Sequence, residues 1–238
     1  QSVIYELIDK YVVPGSVAGS ISSRDKAVFV LPGRLTSQKG IDVAIRALDH
    51  APSASLVVLG VPVGDYGYEQ YIKRLAEERS GRVIITTNRV PEEPYKAIIR
   101  LAAATLMPSR WEPFGLVAVE SLALGTPVIA SAVGGLKEVI VDLRSGEGDG
   151  LLVPPEDPEA LGQAMESFAH IFWHWEPEKV PLQEIRRVAA TSPTFPDDVR
   201  SFAVSDVNKR FRRAAIAESL LACYERARIM AYYRAITA

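Results

Sequence analysis

The chain has 238 residues, of which 48% are hydrophobic, so it can bury a sizeable core as one domain with an appended helical segment. Its formal net charge of −2 provides no basic field, which argues against nucleic acid and anionic membranes as partners. The single cysteine, Cys223, excludes an internal disulfide and cannot form a metal site alone. We interpret it as a small buried apolar residue.

The first 26 residues are interpreted as a helix followed by a loop rich in Gly, Ser and Val. From residue 27 onward, short apolar runs alternate with helical patterns, which is typical of a parallel sheet covered on both faces. Strands are predicted at residues 27–31, 56–60, 83–86, 104–107, 128–130 and 151–153. Helices are predicted at residues 41–49, 68–79, 95–102, 116–123, 136–141 and 158–172. The pattern predicts an α/β fold: a Rossmann-like three-layer α/β/α domain over residues 27–172, with a parallel sheet of about six strands.

The tail differs in composition from the domain that precedes it. A break containing Pro and Thr at residues 191–196 is followed by a long helical pattern at residues 204–233. We expect residues 173–238 to form a helical segment that packs on the same domain. The aromatic cluster at residues 172–175 is interpreted as packing at a helix end. The arginines of the tail are interpreted as a solvated helix face; they are Arg210, Arg212, Arg213, Arg226 and Arg228.

The most apolar region, residues 116–136, does not predict a membrane span. Glu120, Pro127 and several glycines interrupt it, so we interpret it as helix, turn and strand. The sequence begins at Gln1, without Met and without a basic stretch followed by an apolar one. We therefore expect no secretory signal, a fragment of a longer protein, and a cytoplasmic location.

A polar, basic turn joins the first predicted strand of the domain to its first predicted helix. It runs from Gly33 to Gly40 and carries Arg34 and Lys39. In an open α/β sheet, the turns that follow the strands are where ligands bind. A single Arg or Lys in a turn is usually solvated. Two cations near one point, however, match a diphosphate, whose negative charge must be neutralised as it leaves.

Two carboxylates separated by seven residues, Glu112 and Glu120, flank a predicted helix start. Because a helix rises about 1.5 Å per residue, an acid before the helix and one inside it cannot hold the same atom. We expect them to hold opposite ends of one long ligand. Between them Pro113, Phe114 and Gly115 begin the helix, where unpaired N–H groups suit a phosphate or a sugar hydroxyl. Either glutamate alone is typical of a solvated acid, but the basic turn upstream favours a nucleotide-sugar site.

Several other ligand-binding motifs do not occur in the sequence. Gly33-Arg34-Leu35 lacks the second glycine of a Gly-x-Gly-x-x-Gly turn, which argues against a dinucleotide-dependent oxidoreductase. There is no Walker-type Gly-Lys-Ser/Thr motif and no Asp-x-Asp metal motif. The three histidines are too scattered to predict a zinc site; they are His50, His170 and His174. We expect no metal, and no cofactor apart from a nucleotide-sugar substrate.

Taken together, these motifs resemble those of the glycogen and starch synthase family of retaining glycosyltransferases. Residues 34–40, Arg-Leu-Thr-Ser-Gln-Lys-Gly, are similar to the synthase signature almost letter for letter. Glu112 and Glu120 match its paired glutamates, and residues 131–138 are similar to its glycine-pair turn. The resemblance covers about residues 27–164.

The resemblance implies the C-terminal, donor-binding lobe of a glycosyltransferase-B fold. It implies transfer of glucose from ADP-glucose or UDP-glucose to an α-1,4-glucan, with retention and without a metal. In that family the acceptor lobe precedes the donor lobe, and its glycine-rich loop and catalytic His have no counterpart here. We therefore expect the chain to bind the donor but not to extend glucan alone.

The resemblance also implies roles for individual residues. Arg34 and Lys39 would hold and stabilise the departing diphosphate, and Glu112 would lie at the sugar near the reacting carbon. These three are the expected catalytic residues. Glu120 would hydrogen-bond the ribose hydroxyls. Backbone N–H groups would contact the sugar and the phosphate around Phe114, Gly115 and Leu116.

Two other functions stay open at this point. The chain could be the donor lobe of a neighbouring retaining family that acts on a lipid, a small sugar or a sugar phosphate, because the acceptor lobe decides that choice. It could also be a nucleotide-sugar-binding module without chemistry, used for sensing or assembly. Four charged residues at ligand-facing positions argue against a purely structural relic.

Overall fold

A seven-stranded sheet forms the centre of the structure, a computed structural model that describes residues 2–145, 148–173 and 197–212. The strand order is β1-β4-β3-β2-β5-β6-β7. All neighbouring pairs among β2 to β7 are parallel, whereas β1 pairs with β4 in the antiparallel direction. The strands are β1 Ser16–Ile21, β2 Ala27–Arg34, β3 Ala54–Val61, β4 Arg82–Thr86, β5 Ala104–Met107, β6 Val128–Ser131 and β7 Gly150–Val153.

Helices follow each of the parallel strands. A π-helical turn, Ile8–Val12, continues the first helix. Short 3₁₀ turns are present at Val13–Gly15, Ser37–Lys39, Leu48–His50 and Leu143–Ser145. The α-helices are α1 Ser2–Leu7, α2 Ile41–Ala47, α3 Tyr66–Glu78, α4 Glu92–Leu101, α5 Leu116–Ala123, α6 Leu136–Val139, α7 Pro158–Trp173 and α8 Asp197–Phe211.

The six strands and six helices predicted for residues 27–172 are confirmed, each within a few residues of its bounds. The α/β class and the three-layer arrangement are also confirmed. In the tail, α8 begins earlier than the predicted helix at residues 204–233, and the part of that prediction beyond residue 212 lies outside the described residues. Cys223, the aromatic cluster at 172–175 and three of the five tail arginines lie outside the residues whose side chains are described.

The loop expected after the first helix is wrong at Ser16–Ile21, which forms the antiparallel strand β1 in addition to the six predicted parallel strands. Within β1, Ala18 is the one buried residue, so the segment has no apolar run that would predict a strand. A register shift between Ser16 and Ala18 and a positive φ of 70° at Gly19 further obscure the pattern. Backbone pairing with β4, rather than side-chain burial, makes this segment a strand.

Both faces of the sheet are buried along its parallel strands, which explains why these strands are continuous apolar runs. Successive side chains of a strand point to opposite faces. In β2, Val28 and Val30 pack in a core with α1 and α4, whereas Phe29 and Leu31 pack in a core with α2, α3 and α7. A third core joins β5 and β6 to α5, α6 and α8. The sheet is thus held as a rigid layer, and its loops carry the polar residues.

The strand order creates a topological switch point between β2 and β5. From β2 the chain adds β3 and β4 on one side and then returns to add β5, β6 and β7 on the other. In open α/β sheets, the carboxyl ends of the two strands at such a point border a crevice where ligands bind. The basic turn follows β2 and the glutamate-bearing loop follows β5. The fold therefore brings the two sequence motifs together.

Gly40 allows these two loops to approach each other. Its φ is 63°, in the left-handed region, and a Cβ atom built on it would lie 1.9 Å from the carbonyl oxygen of Pro108. A side chain at this position would therefore push the loop after β2 away from the loop after β5.

We predict that Gly40→Ala lowers the free energy of unfolding by at least about 3 kcal/mol, because the left-handed conformation and the overlap with Pro108 both oppose a Cβ atom. Gly64→Ala is the matched control. Gly64 also has a positive φ, of 86°, but an added Cβ would have no atom within 4 Å. Gly64→Ala should therefore lower the free energy of unfolding by only about 1 kcal/mol. Urea unfolding measures both variants, and equal losses would contradict the prediction.

Asp149 is a buried acid beside α8 and directly before β7. It lies at the amino ends of the parallel strands, whereas the switch-point crevice lies at their carboxyl ends. Its Oδ1 accepts a hydrogen bond from Val141 N at 2.9 Å, and its Oδ2 lies 3.7 Å from Arg210 Nη2. Burial raises the pKa of Asp149 to about 6, although the Val141 N–H and the Arg210 guanidinium oppose the rise. Arg210 also donates to the carbonyl oxygens of Glu138 and Val139. The interpretation of Arg210 as part of a solvated face is therefore wrong, because the C-terminal end of α6 supplies it with acceptors.

The raised pKa of Asp149 predicts a loss of stability as pH rises from about 4 to about 6, because the folded state holds this proton more tightly than the unfolded chain does. A shift from 3.8 to about 6 corresponds to about 3 kcal/mol. Asp149→Asn removes this loss and keeps the acceptor for Val141. The stability advantage of the variant should therefore grow by up to about 3 kcal/mol between pH 4 and pH 7 in urea unfolding.

Asp142→Asn is the control, because Arg144 lowers the pKa of Asp142 to about 2. The stability that Asp142 contributes is present above pH 4 and is lost only as pH falls towards 2. The difference between this variant and the unmodified chain should therefore be constant from pH 4 to pH 7. A constant difference for Asp149→Asn as well would refute the assignment.

Candidate functional site

Lys39 and Glu112 form a direct ion pair across the switch point. Lys39 Nζ donates to Glu112 Oε2 at 2.6 Å, and the two side chains are 16% and 10% exposed. Lys39 ends the 3₁₀ turn after β2, and Glu112 lies in the loop after β5. Because both charges are largely removed from water, each depends on the other for compensation. The structure thus joins two of the three residues predicted to be catalytic.

Gln38 connects the third predicted residue, Arg34, to the same loop. Its Oε1 accepts from Arg34 Nη2 at 3.2 Å, and its Nε2 donates to the carbonyl oxygen of Trp111 at 2.9 Å. Arg34 is exposed, and within the described ranges this is the one hydrogen bond of its guanidinium. Gln38 lies in the basic turn but was given no role by the sequence. Its place between Ser37 and Lys39 gave no signal that its amide would face the other loop.

The glycine pair after β6 supports the backbone of Glu112. Gly135 N donates to the Glu112 carbonyl oxygen at 3.0 Å. A Cβ atom on Gly134 would lie 2.1 Å from that oxygen, and one on Gly135 would lie 2.5 Å from the carbonyl oxygen of Pro113. Only glycine permits this approach at both positions. The third motif noted in the sequence therefore meets the other two at the same point.

Helix α5 begins next to Glu112 with an open amino end. Gly115 occupies the N-cap position with φ 100°, and no side chain of the described residues caps the helix. Leu116 is 67% exposed and Phe114 is 44% exposed. The Phe114 ring makes an edge-to-face contact with Phe211 of α8, with centroids 5.7 Å apart. The uncapped N–H groups and the positive end of the helix dipole can therefore bind an anion.

Glu120 lies apart from the Lys39–Glu112 pair, on the second turn of α5. It is exposed and shares a helix face with Leu116, four residues before it. Burial, together with the charge of Glu120, raises the pKa of Tyr95 on α4 to about 12. One glutamate therefore lies in the loop before α5 and the other on the second turn of this helix; that they hold opposite ends of one ligand stays a prediction.

Arg110 is a further charged residue of the glutamate-bearing loop to which the sequence assigned no role. Its guanidinium contacts Asp42 of α2 through two nitrogens, at 3.0 and 2.9 Å, and its Nε donates to Glu156 at 2.6 Å. Its backbone N donates to the carbonyl oxygen of Gln38 at 2.8 Å. Its position two residues before Glu112 was the one available signal that it belongs to the site.

Two properties bear on the kinds of ligand this structure can hold. Across the described residues, no helix combines the length and the apolar character that a membrane span requires. Nor do His, Cys, Asp and Glu side chains, where described, gather in groups of three or more that could hold a metal ion.

The sequence matches the protein family described as glycosyl transferases group 1 over residues 18–171. The matched region contains the three motif-bearing loops and nearly the whole sheet. The chain belongs to this family. Among its curated relatives, an uncharacterised glycosyltransferase of Methanocaldococcus jannaschii is 36% identical over 141 residues, covering 58% of this chain and 34% of the relative.

Relatives with two different functional names match at similar levels. A D-inositol 3-phosphate glycosyltransferase of Streptomyces griseus subsp. griseus is 36% identical over 194 residues, covering 77% of this chain and 39% of the relative. A glycogen synthase of Granulibacter bethesdensis is 34% identical over 152 residues, covering 61% of this chain and 31% of the relative. The chain spans about a third of the length of the curated relatives it matches.

Solved glycosyltransferase structures share the fold. The Anabaena protein HepE, in complex with UDP and glucose, superposes with a TM-score of 0.65 at 20% identity, over 94% of this chain and 52% of that protein. The sucrose-phosphate synthase of Thermosynechococcus elongatus superposes with a TM-score of 0.60 at 27% identity, over 88% of this chain and 47% of that protein. The glycosyltransferase-B type of fold implied by the motifs is thereby confirmed for this group 1 domain.

We predict that the Lys39–Glu112 pair stabilises the fold cooperatively. Lys39→Met and Glu112→Gln should each lower the free energy of unfolding by about 1–3 kcal/mol, because each leaves a largely buried charge without its partner. The double variant should lose at least about 1 kcal/mol less than the sum, as chemical denaturation can measure.

The exposed pair of Lys96 and Glu92 on α4 is the control. Its side chains are 40% and 75% exposed, so the corresponding Met and Gln variants should each change stability by less than about 0.5 kcal/mol. Additive losses at Lys39 and Glu112 would show that the two charges do not depend on each other.

Proposed function

We propose that this chain is the donor-binding lobe of a retaining glycosyltransferase of the glycogen and starch synthase type, which takes glucose from ADP-glucose or UDP-glucose. The observation that carries the proposal is the meeting of Lys39, Glu112 and, through Gln38, Arg34 beside the uncapped start of α5. Two cations, one acid and a helix amino terminus at a switch point match the charges of a nucleoside diphosphate sugar.

The cations have donors to spare for a diphosphate. A lysine ammonium has three N–H donors, and Lys39 uses one of them for its hydrogen bond to Glu112. An arginine guanidinium has five N–H donors, and Arg34 uses one of them for its hydrogen bond to Gln38. Both can contact phosphate oxygens without leaving their present partners. No metal ion is then required to neutralise the departing diphosphate.

Glu112 is suited to orient the transferred sugar rather than to act as a free base. Its carboxylate is largely buried and is engaged by Lys39, while its backbone is held by Gly134 and Gly135. A carboxylate fixed in this way can accept hydrogen bonds from sugar hydroxyls in one defined geometry. Fixed donors and acceptors in a partly dry site stabilise developing charge without reorganisation during the reaction.

The ribose of the donor would lie along α5 towards Glu120. Glu120 follows Leu116, at the helix start, by four positions, which corresponds to about 6 Å along the axis. A diphosphate at the start of α5 would therefore place its sugar near Glu112 on one side and its ribose near Glu120 on the other. The backbone N–H groups around Phe114, Gly115 and Leu116 would contact the middle of the donor.

The acceptor would bind to a second lobe that faces this edge of the sheet, and for the proposed activity it would be an α-1,4-glucan. The names of the relatives support a glycosyl acceptor but include both a glycogen synthase and an inositol phosphate glycosyltransferase. The Streptomyces relative, which matches over 77% of the chain, favours the donor lobe of an enzyme with a small phosphorylated acceptor as a second candidate. Detectable glucan extension by the 238-residue chain alone would overturn the assignment of the acceptor to another lobe.

We predict that the chain binds nucleoside diphosphates in the presence of a chelator and that Lys39→Ala weakens this binding at least tenfold, because one of two phosphate-facing cations is lost. Adenosine and uridine should bind the variant and the unmodified chain equally. Calorimetric titration with ADP, UDP, ADP-glucose and UDP-glucose measures the affinities and identifies the base. Equal losses of affinity for nucleosides and for nucleoside diphosphates would contradict the phosphate-binding role of Lys39.

Two further variants complete this titration. Glu120→Gln should weaken every ribose-bearing ligand several-fold and leave glucose 1-phosphate unaffected. Lys96→Ala removes an exposed lysine of α4 and should change none of the affinities. Absence of any nucleotide binding by the folded chain at millimolar ligand would contradict the donor-lobe proposal.

A further inference from the structure

We propose that Arg110 is a positioning residue of the donor site, an inference that rests on the proposed function. Arg110 does not itself face the donor. It holds the loop that carries Arg34 and Lys39 in place against the loop that carries Glu112.

Protein groups engage most of the N–H donors of the Arg110 guanidinium. Its Nη1 donates to Asp42 Oδ1 at 3.0 Å and to the carbonyl oxygen of Ser37 at 2.5 Å. Its Nη2 donates to Asp42 Oδ2 at 2.9 Å, and its Nε donates to Glu156 Oε1 at 2.6 Å. Four of its five N–H donors are thus used, and two carboxylates oppose its charge. This distinguishes Arg110 from the exposed Arg34 and removes it from the set of phosphate-binding cations.

Asp42 anchors the network to the core. It is 5% exposed and lies in the first turn of α2, three residues after Lys39. Tyr68 of α3 donates to Asp42 Oδ1 at 2.7 Å. Burial alone would raise the pKa of Asp42, but the hydrogen bonds from Arg110 and Tyr68 hold it below its ordinary value. Asp42 is therefore a fixed, charged partner against which Arg110 is oriented.

Glu156 ties a third loop, the one after β7, to the same guanidinium. Its φ of 57° is the one positive value among the non-glycine residues that the structure describes. A left-handed conformation is unfavourable for a non-glycine residue, and it persists where surrounding contacts determine it. The contact with Arg110 is such a determinant. Three loops, after β2, β5 and β7, consequently share one side chain.

The contacts of Arg110 fall on the two residues that precede Lys39. The side chain holds the Ser37 carbonyl oxygen, and the backbone N holds the Gln38 carbonyl oxygen at 2.8 Å. Movement of either carbonyl displaces Lys39 Nζ relative to Glu112. A displacement of about 1 Å between groups that bind a reacting ligand can cost on the order of a hundredfold in rate. A lysine at position 110 keeps the charge but lacks the planar fork that makes these contacts together.

Hydrogen–deuterium exchange on the 238-residue chain without ligand tests the positioning role directly. In Arg110→Lys, amides of residues 36–42 should exchange at least fivefold faster, whereas the cores of β2 and β3 should not change. Glu156→Gln removes one of the two negative charges that oppose Arg110 but keeps an acceptor for its Nε, so it should give a smaller increase in the same segment. Unchanged exchange of residues 36–42 in Arg110→Lys would overturn the proposal.

Arg79→Lys is the matched control. Arg79 also binds an aspartate through two nitrogens, Nε and Nη2 to Asp49 at 3.0 and 2.6 Å, and it donates to the Leu75 carbonyl oxygen. It lies between the end of α3 and the start of β4, at the amino ends of the parallel strands and away from the crevice. This variant should lose stability to a similar degree but leave the exchange of residues 36–42 unchanged.

A double-variant cycle on nucleotide binding tests whether Arg110 acts through Lys39. Arg110→Lys should weaken ADP or UDP about tenfold, whereas in a Lys39→Ala background the same change should weaken it less than twofold. Equal weakening in both backgrounds would overturn action through Lys39. If the unmodified chain binds no nucleotide, the proposed function fails, and the exchange experiment still decides the positioning role.

Discussion

The parallel pairing of β2 with β5 is the contact on which the candidate site depends. Two residue pairs, Phe29 with Ala104 and Val30 with Thr105, set the register. These strands come from distant parts of the sequence, and the two loops that carry the candidate site begin at their neighbouring carboxyl ends. Lys39 meets Glu112, Gln38 reaches Trp111, and Arg110 reaches back to Ser37 because this one register aligns the ends of the two strands. The buried core beneath keeps that alignment rigid, so the loops can be short and polar.

The site separates its cations by how many partners each already has. Arg34 has one hydrogen bond within the described structure and stays exposed, Lys39 is shared with one carboxylate, and Arg110 is committed to two. This gradation lets one small region contain several positive charges with different tasks. The outermost charge is available to a ligand, the middle one can bind both ligand and protein, and the innermost one holds the loops together. A simple count of basic residues in the two motifs would have treated all three alike.

Much of the fold could be predicted from the sequence, because strands buried on both faces leave continuous apolar runs and the helices between them keep their own period. β1 could not be predicted, since its one buried residue, Ala18, gives no pattern. The positions of Arg34, Lys39, Glu112 and Glu120 at strand ends and at a helix start also followed from their motifs. Their partners did not. The direct contact of Lys39 with Glu112 and the network around Arg110 join residues about seventy positions apart, and such contacts depend on the register between strands rather than on any local spacing.

The strand that the sequence concealed has a consequence for how this domain behaves in a concentrated solution. Without β1, the sheet would end at β4, whose residues from Val83 to Thr86 are all buried. An apolar outermost strand with free N–H and carbonyl groups is a template for pairing with another chain. β1 covers it with a short strand in which one residue, Ala18, is buried, the register is irregular between Ser16 and Ala18, and Gly19 has a left-handed φ. Short, irregular edge strands of this kind are poor templates for further strands. At this edge of the sheet, β1 thus disfavours strand pairing with another copy of the domain.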